Sequence, residues 1–542
     1  MIDRLPTVSR IVHQRLPAPV LWLAAASLIC VMQAEASTPK EAPSIDSAQV
    51  VRLALPDPAE IAALRSGNVH EGRSHRGLRI GFQRQLTVDP DLAPITPQSP
   101  YWQTVPGGRT LRIEVTSPEA AGMRVELRIS DNFAGEVRFY PGPNAPPDSA
   151  IGPFQRNDWQ GRKTYWGPVT AGETSTVELF LPRGTPSTPW RVELLSVSHL
   201  VVLPAERNQW GNIFPDTGTC EVNIACATSP DLVQAARAVA VMSFVDGGYS
   251  YVCTGSLIRD KAGSAIPYFY SSHHCVYTQT IADTLNTFWH LQDSRCTGVT
   301  DPYSARSGLY RGAIYLDSEP DNDHSLLLLR DVPPASAALL DWDTADLRPG
   351  MKVTTIHHPG SDVKKISTGF VDTPPDGSVI MSEDNGATVT HSNTWKVMWT
   401  SGVTEPGSSG AVLLTCDGSS CKLRGGLIGG SSECYRDNGP DFFSKIGLAY
   451  PRLKRWLVDA PSLSAQDCLF DWAEANHPED FGPQHVASQY LNGYYLRYYA
   501  NRNSYLGISM SESNVYYLGP KSNQGIFDLG GAATWISTAS CR

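Results

Sequence analysis

The cysteines of this chain are confined to its later part, and this distribution constrains the fold more than any other feature. Of 11 cysteines in 542 residues, Cys30 stands alone near the amino terminus, and all the others lie at or after Cys220. These ten contain no Cys-x-x-Cys pair, and an even number of such cysteines indicates disulfides rather than a metal site. The sequence therefore divides into a cysteine-free block and a cysteine-bearing block.

The amino terminus has the pattern of an export signal. Three arginines lie in the first 15 residues, an apolar run covers 20–32, and residues 34–36 (Ala-Glu-Ala) form a small-residue cleavage site. The run is too short to span a bilayer comfortably, which disfavours an uncleaved anchor and any stable membrane association. We expect a signal peptide at 1–36 and export to the periplasm or the medium.

The cysteine-free block is predicted to be mostly β. Five segments alternate apolar and polar residues, so that each would bury one face, and Gly, Pro and Asn lie between them. They are 110–115, 123–129, 136–140, 176–181 and 191–197. This pattern is typical of a small antiparallel sandwich, and a short helix is predicted before it at 58–66.

The cysteine-bearing block is also predicted to be mainly β. It covers 220–458, follows a boundary at 203–219, and ends in a predicted helix at 453–458. Across the whole chain, 45 glycines and 41 prolines favour a turn-rich fold. A net charge of −10 without a basic stripe argues against nucleic-acid binding.

A separate small module is predicted at 465–542, after a linker at 459–462. It would begin with a helix at 465–476 and continue in Tyr-rich strands, with Cys468 and Cys541 placed to link its ends. The tyrosines could stack on sugars or peptides, but we favour core strands.

A serine between glycines supplies a candidate nucleophile. Ser409 lies in the run 405–410 (Glu-Pro-Gly-Ser-Ser-Gly), directly after a β-like stretch. Acyl transfer needs an exposed hydroxyl on a tight turn, with backbone N–H groups directed at the developing oxyanion. The N–H groups of Gly407 and Ser409 are the candidate oxyanion hole. Taken alone, such a run is more typical of a flexible surface turn.

Two adjacent histidines, His273 and His274, offer a general base, and they would face opposite sides of a strand. A bridge between Cys253 and Cys275 would clamp the histidine turn. Asp323 directly precedes a very apolar stretch, where a carboxylate can accept an imidazole N–H. We expect the neighbouring acidic residues to form a solvated turn.

The order of these candidates along the chain favours one fold. His274, Asp323 and Ser409 follow one another in the order of the chymotrypsin fold, which differs from that of α/β-hydrolases and subtilisins. The gaps suit a double β-barrel, with His and Asp on the first barrel and Ser on the second. The fold class predicted is therefore mainly β, with a sandwich before the double barrel and a small α+β module after it.

Six stretches of the cysteine-bearing block resemble the bacterial lysyl endopeptidases, which are secreted trypsin-like serine proteases. They are GTCEVNIAC (218–226), VCTGSLI (252–258), YSSHHC (270–275), DHSLLLL (323–329), TTIHHPGSDVKKIS (354–367) and GVTEPGSSG (402–410). The resemblance covers about 215–458. It implies a triad of His274, rather than His273, with Asp323 and Ser409, and hydrolysis after Lys or Arg through an acyl-enzyme.

The resemblance also implies the disulfides and the role of the first block. The pairs would be Cys220–Cys434, Cys226–Cys296 and Cys253–Cys275, with Cys416–Cys421 as an extra local loop. The cysteine-free block, 37–207, resembles a propeptide that acts in cis. Between 203 and 219 the one basic residue is Arg207, so we expect maturation to cut there or nearby.

The specificity pocket is predicted from the same resemblance. The position six residues before the nucleophile, often Asp in trypsin-type pockets, is Val403 here. Asp441 matches the family's acidic pocket residue, Asp437 is a competing candidate, and Leu427, Gly429 and Gly430 would form the pocket wall. Family members have a histidine where this chain has Ile428, so the choice between Lys and Arg stays open.

Two other functions remain as alternatives. One is a protease of different specificity, with Val403 lining a pocket for a glutamyl or aliphatic side chain. The other is an inactive protease-like binding or adhesion protein that uses the Tyr-rich module. We expect a monomer that acts on protein or peptide substrates, and the sequence implies no metal and no organic cofactor.

Overall fold

A computed structural model describes most of the chain between residues 49 and 520. The described residues are 49–70, 77–86, 93–143, 145–185, 188–204, 218–261, 263, 266–297, 307–372, 377–382, 388–434, 439–458, 485–491, 494–499, 504–509 and 515–520. The predicted signal peptide, the predicted helix at 465–476, Cys468 and Cys541 lie outside them.

The cysteine-free block is a sandwich of two sheets. Its strands are β1 (Gln49–Arg52), β2 (Leu78–Gln85), β3 (Gln103–Val105), β4 (Gly108–Thr116), β5 (Gly122–Ile129), β6 (Glu136–Pro141), β7 (Ile151–Phe154), β8 (Tyr165–Trp166), β9 (Thr170–Ala171), β10 (Thr174–Pro182) and β11 (Val192–Leu200). Its helices are α1 (Pro58–His70) and α2 (Arg156–Trp159). One sheet has the order β1-β4-β10-β6-β7, with β3 on β4, and the other contains β2-β11-β5-β8, with β9 on β5.

The apolar residues that alternate along the predicted strands form the core of the sandwich. Leu111 and Ile113 of β4, Val177 of β10, and Val125 and Leu127 of β5 are all fully buried in one apolar cluster. The five predicted segments became β4, β5, β6, β10 and β11, and the predicted helix became α1. One pairing differs from the antiparallel expectation, because β1 runs parallel to β4.

The cysteine-bearing block forms two β-barrels. Its strands are β12 (Val222–Asn223), β13 (Val239–Asp246), β14 (Tyr249–Ile258), β15 (Tyr268–Ser271), β16 (Asn286–Trp289), β17 (Ser307–Leu309), β18 (Ala313–Glu319), β19 (His324–Leu329), β20 (Asp341–Trp342), β21 (Lys352–His357), β22 (Lys365–Val371), β23 (Gly377–Ser382), β24 (Thr388–Ser401), β25 (Val412–Cys416), β26 (Cys421–Gly430) and β27 (Asp441–Phe443). Its helices are α3 (Pro230–Ala236), α4 (Gln279–Ala282) and α5 (Ile446–Leu457).

The two barrels differ in how their strands connect. The first has the strand order β17-β16-β13-β14, continued through β15 and β19 to β18, and among the described strands it stays open between β17 and β18. The second runs β22-β21-β25-β26-β27-β24, and pairing of β22 with β24 closes the ring. Helix α5 packs on the block and contains the predicted closing helix. The fold is thus mainly β, with a chymotrypsin-like double barrel after a sandwich.

The sandwich and the first barrel share one continuous sheet, which the sequence did not lead us to expect. Strand β2 pairs with β11 of the sandwich on one side and with β14 of the barrel on the other. Leu78 and Ile80 of β2 pack in one cluster with Val241, Val252 and Phe288 of the barrel. Because β2 lies between two strands, neither neighbour has a free edge there.

The remaining described part is a four-stranded antiparallel sheet in the C-terminal module. Its order follows the chain: β28 (His485–Leu491), β29 (Tyr494–Tyr499), β30 (Ser504–Ser509) and β31 (Val515–Pro520). Among the described residues, the helices are all too short or too polar to cross a bilayer.

Candidate active site

Two neighbouring strands of the first barrel bring His274 and Asp323 together. In the pairing of β15 with β19, Ser271 lies opposite Ser325, so the residues just after β15 and just before β19 meet at one end. The His274 Nδ1 is 2.7 Å from Asp323 Oδ2. The His274 backbone N–H donates to Asp323 Oδ1 at 3.0 Å. Both side chains are fully buried, so the pair is shielded from water.

The neighbouring candidates, His273 and Asp321, make contacts with other residues. His273 hydrogen-bonds through Nδ1 to Ser318 Oγ and packs beside Tyr277. Asp321 is exposed on the turn, where its backbone N–H donates to Glu319 Oε1 at 3.2 Å. This geometry separates the buried His274–Asp323 pair from the acidic turn.

Ser409 lies on a tight turn between β24 and β25 of the second barrel. Gly407 and Gly410 have φ values of +98° and +81°, in the left-handed region that favours glycine. The Ser408 N–H donates to Glu405 O at 3.0 Å, and the Ala411 N–H donates to Ser408 O at 2.9 Å. The turn leaves Ser409 half-buried, whereas Ser408 before it is fully buried.

Thr254 of the first barrel connects the serine turn to the histidine turn. Its N–H donates to Ser409 O at 2.8 Å, and its hydroxyl donates to Gly407 O at 3.0 Å. The adjacent Cys253 is bonded to Cys275, which directly follows His274. One strand, β14, therefore holds both turns, across the seam between the barrels.

A buried carboxylate lies at the start of β27, beyond the serine turn. Asp441 is 1% exposed. Its Oδ2 accepts hydrogen bonds from Trp399 Nε1 (2.5 Å), Thr404 Oγ1 (2.7 Å) and Ser432 Oγ (2.6 Å). Its Oδ1 accepts one from the Ser432 N–H at 3.2 Å. Burial raises the pKa of Asp441, and these donors oppose that shift by favouring the ionised form.

The predicted pocket wall lies beside this carboxylate. A β-carbon on Gly430 would be 2.1 Å from Asp441 Oδ1, so only glycine fits there. Gly429, with φ +152°, faces Met381, and Leu427 is buried in the core of the second barrel. Val403 is buried in that same core, and Asp437 lies outside the described residues.

Comparison with known proteins places the chain in a family. A model of the lysyl endopeptidase C-terminal domain matches residues 214–444, and one of the lysyl endopeptidase N-terminal domain matches residues 52–201. The lysyl endopeptidase of Pseudomonas aeruginosa is 32% identical over 371 residues, which are 66% of this chain and 77% of that protein. The chain belongs to the lysyl endopeptidase family. It is a serine endopeptidase.

Solved structures similar to this family member are more distant. The active form of the Rv3671c protease from M. tuberculosis is 13% identical, with a TM-score of 0.30 over 42% of this chain and 85% of that one. A thermostable serine protease, AL20, from an extremophilic microorganism is 10% identical, with a TM-score of 0.27 over 40% of this chain and 95% of that one.

Among the described residues, four disulfides join the pairs that the resemblance implies, three of them as family pairs and Cys416–Cys421 as the extra local loop. They are Cys220–Cys434, Cys226–Cys296, Cys253–Cys275 and Cys416–Cys421. Cys220–Cys434 links residues 214 positions apart and ties the start of the block to the segment between Ser432 and Asp441. The site is therefore bound covalently at the histidine turn and near the buried carboxylate.

Sequence reasoning missed the residues that surround Asp441. Trp399, Thr404 and Ser432 come from three separate segments, and each donates to the carboxylate. Thr404 lies within a motif already noted and Ser432 two residues after the predicted pocket wall, but only the folded barrel brings their hydroxyls together. The one sequence signal for these residues was that Thr404 and Ser432 are polar and lie close to the predicted pocket residues Val403 and Gly430.

Proposed function

We propose that this lysyl endopeptidase family member hydrolyses peptide bonds after basic residues, with His274, Asp323 and Ser409 as its catalytic triad. The observation that carries the triad is the two-point contact between Asp323 and His274, through Nδ1 at 2.7 Å and the backbone N–H at 3.0 Å. A carboxylate held in this way fixes both the tautomer and the orientation of the imidazole.

The mechanism follows from these positions. Ser409 Oγ attacks the scissile carbonyl while His274 Nε2 takes its proton, and Asp323 stabilises the imidazolium that forms. The N–H groups of Gly407 and Ser409 bind the oxyanion. His274 then protonates the leaving amine, and an acyl-enzyme remains on Ser409. Water, deprotonated by His274, hydrolyses this ester and restores the enzyme.

Asp441 supports selection of a cationic side chain, and its hydrogen bonds favour lysine over arginine. Three donors already occupy Oδ2, whereas Oδ1 accepts a single backbone bond. A guanidinium binds a carboxylate best through both oxygens at once, but an ammonium needs one acceptor. A lysine side chain therefore suits the remaining capacity of Oδ1, and we propose a preference for lysine.

One plate of peptide substrates tests this specificity. Peptides that end in Lys, Arg, Glu or Phe before the scissile bond would be assayed with the wild type, with Asp441→Ala, and with Asp372→Ala as the control. Asp372 lies in the same barrel and pairs with Lys396 at 2.7 Å. We expect Asp441→Ala alone to lose Lys and Arg cleavage. Unchanged cleavage would refute the pocket assignment, and preference for Glu or Phe would favour the alternative pocket.

A fluorophosphonate probe distinguishes the enzyme from a protease-like binding protein. We expect the wild type to be labelled and Ser409→Ala to stay unlabelled, because the probe reacts only with an activated serine. A folded wild type that fails to react would support the binding or adhesion alternative.

We also propose that the cysteine-free block is a propeptide that acts in cis on the first barrel. The pairing of β2 with β14 supports this role. So do polar contacts across the boundary: Arg124 Nη2 donates to Thr284 O at 2.7 Å, and Arg311 Nη2 donates to Pro153 O at 3.0 Å. Because β2 covers apolar residues of the barrel, the block can template that barrel during folding.

Maturation would then cut the chain after Arg207, which lies outside the described residues. No lysine lies between Lys163 and Lys261, so a strictly lysine-specific enzyme could not cut at 203–219 itself. Amino-terminal sequencing of the secreted wild type, and of Ser409→Ala, would locate the cut and its agent. A mature chain that starts elsewhere would contradict this site. We further propose that the enzyme is exported, because its disulfides need an oxidising compartment. That it acts as a monomer remains our expectation from the sequence.

A further inference from the structure

A fully buried histidine lies directly behind the nucleophile turn. His357 is the last residue of β21 in the second barrel, and none of its surface is exposed. Its Nδ1 is 2.7 Å from Ser408 Oγ, and its Nε2 is 3.1 Å from Ser367 Oγ. The imidazole therefore connects the residue that precedes Ser409 to strand β22.

The hydrogen-bond directions around His357 fix its tautomer. Ser367 Oγ donates its one proton to Val403 O at 2.6 Å, so the same oxygen must accept from His357 Nε2–H. Nδ1 is then unprotonated and accepts the Ser408 hydroxyl proton. Burial lowers the pKa of His357 to about 3, and the positive charge of Lys365 adds to this effect. The imidazole is therefore neutral at physiological pH.

The buried carboxyl group of Glu221 lies beside His357 and does not favour protonation of the imidazole. Glu221 Oε2 is 3.8 Å from His357 Nε2, and its side chain is 1% exposed. Among the described residues, neither Glu221 oxygen has a hydrogen-bond partner. Burial, and then the charge of Glu405, raise the pKa of Glu221 well above its ordinary value. A protonated Glu221 exerts no pull toward the imidazolium form.

Ser408 is the point at which this network reaches the reacting atoms. It stands between Gly407 and Ser409, the two residues whose N–H groups form the proposed oxyanion hole. Its Oγ also accepts from the Glu405 N–H at 3.4 Å, which closes the turn on itself. Ser408 is bonded directly to the peptide group that carries the Ser409 N–H, and Gly407 connects it to the peptide group that carries the Gly407 N–H. A shift of Ser408 would therefore move the first donor directly and disturb the second through Gly407.

We propose that His357 is a positioning residue that holds the oxyanion-binding turn in its reactive geometry through the hydroxyl of Ser408. This proposal rests on the function proposed above, because it assigns a role only in acyl transfer. The imidazole also links the turn, through Ser367, to the carbonyl of Val403. The next residue, Thr404, donates its hydroxyl to the buried Asp441. The His357 side chain thus connects the serine turn to the segment that leads to Asp441.

The test is a double-mutant cycle on His357→Ala and Ser408→Ala, with kcat and KM measured on a lysyl ester and a lysyl peptide. Loss of one oxyanion donor typically lowers kcat by about 10²–10³. A loosened turn should lower it by roughly 10- to 100-fold, with KM changed less than about twofold. If the two residues act through one bond, the double variant should be no slower than the slower single variant.

Two further variants separate positioning from simple stability. His357→Asn keeps an acceptor oxygen near the Nδ1 position, so it should recover part of the kcat that His357→Ala loses. Thr355→Val is the matched control, because Thr355 is fully buried on the same strand and its hydroxyl donates to Val412 O at 3.0 Å. It should lower the unfolding midpoint and leave kcat unchanged.

Each of the other possible results bears on the role proposed for His357. Independent losses in the cycle, a change in KM alone, or an equal loss of kcat in Thr355→Val would overturn the proposal. If His357→Ala fails to fold, Ser408→Ala decides alone, because it removes one hydroxyl and leaves the imidazole in place. A wild type that neither cleaves nor reacts with fluorophosphonate would instead refute the proposed function itself.

Discussion

Gly77 of the cysteine-free block lies against the disulfide Cys253–Cys275, which clamps the turn of the proposed catalytic His274. A β-carbon at residue 77 would be 2.7 Å from Cys253 Sγ and 2.6 Å from Val252 O. Cys253 is bonded to Cys275, the neighbour of His274. The start of β2 therefore contacts the support of the active site, although β2 belongs to a different block of the chain.

Gly77→Ala should weaken the docking of this block on the first barrel. The new methyl group would meet a backbone carbonyl that cannot move without disturbing the pairing of β2 with β14. Overpacking of this kind typically costs about 1–3 kcal/mol. Thermal unfolding of the Ser409→Ala precursor, with and without Gly77→Ala, measures the effect. An unchanged unfolding midpoint would mean that this contact adds nothing to the assembly.

Arg311 makes one of the ion pairs that join the two blocks, another being Arg162 with Asp283, and the loss of Arg311 should cost more than the loss of its partner Asp158. Its Nε lies 3.0 Å from Asp158 Oδ1, and its Nη1 lies 3.0 Å from Asp331 Oδ1. Arg311→Ala leaves two carboxylates without their cation, whereas Asp158→Asn leaves the guanidinium paired. We expect a loss of about 2–4 kcal/mol for the former and about half of that for the latter. Urea unfolding of the uncleaved precursor checks this order, and equal losses would contradict it.

Asp323→Asn should abolish most of the activity without unfolding the protein. An amide can still contact His274, but it offers no carboxylate to stabilise the imidazolium. In trypsin-like enzymes this change lowers kcat by about 10⁴. The measurement is kcat on a lysyl ester, with the unfolding midpoint as the control for folding. Asp321→Asn on the exposed turn is the matched variant and should leave kcat unchanged.

Glu221→Gln should stabilise the protein at neutral and alkaline pH. Because the pKa of Glu221 is well above its ordinary value in the folded state, the folded protein binds a proton that the unfolded chain has lost. Wild-type stability therefore falls as pH rises from the ordinary Glu value through the raised one. Below the ordinary value both states are protonated, and this contribution vanishes. Glutamine is neutral at every pH and removes the dependence.

The expected gain is a rise of about 2–4 °C in the unfolding midpoint at pH 8, the shift that roughly 1 kcal/mol produces in a domain of this size. At pH 4 the two proteins should unfold together. Scanning calorimetry on the Ser409→Ala background at both pH values checks this. A gain of equal size at pH 4 and pH 8 would show that the charge of Glu221 is not its cause.

The strands of the sandwich could be predicted because their alternation is local. Each of the five segments between 110 and 197 became a strand, and alternate apolar residues of each lie in one apolar cluster. In β6 and β10 some of the polar residues between them are buried as well. Strand β2 carries the same signal, with Leu78, Ile80 and Phe82 all buried. We did not predict it, and its two partners, β11 and β14, could not be read from any local pattern.

The candidate site likewise contains residues that the sequence could identify and residues that it could not. The order of His274, Asp323 and Ser409 suggested one barrel for the first two and another for the third, and the strands place these residues so. The contacts of His357 and Asp441 were beyond reach, because each side chain is held by segments far apart in sequence. Spacing can identify reactive residues, but the residues that orient them become visible only when distant strands pair.

The link between Cys220 and Cys434 has a consequence for the cell that makes this chain. If the chain is exported as proposed, its thiols are reduced beforehand, so neither the histidine turn nor the segment before Asp441 then has its disulfide. The newly made polypeptide therefore lacks two of the ties that shape its catalytic cleft while it shares a compartment with the cell's own proteins. With the proposed export, oxidation outside the reducing compartment would form both bonds only after the chain has left the proteins of the cytoplasm.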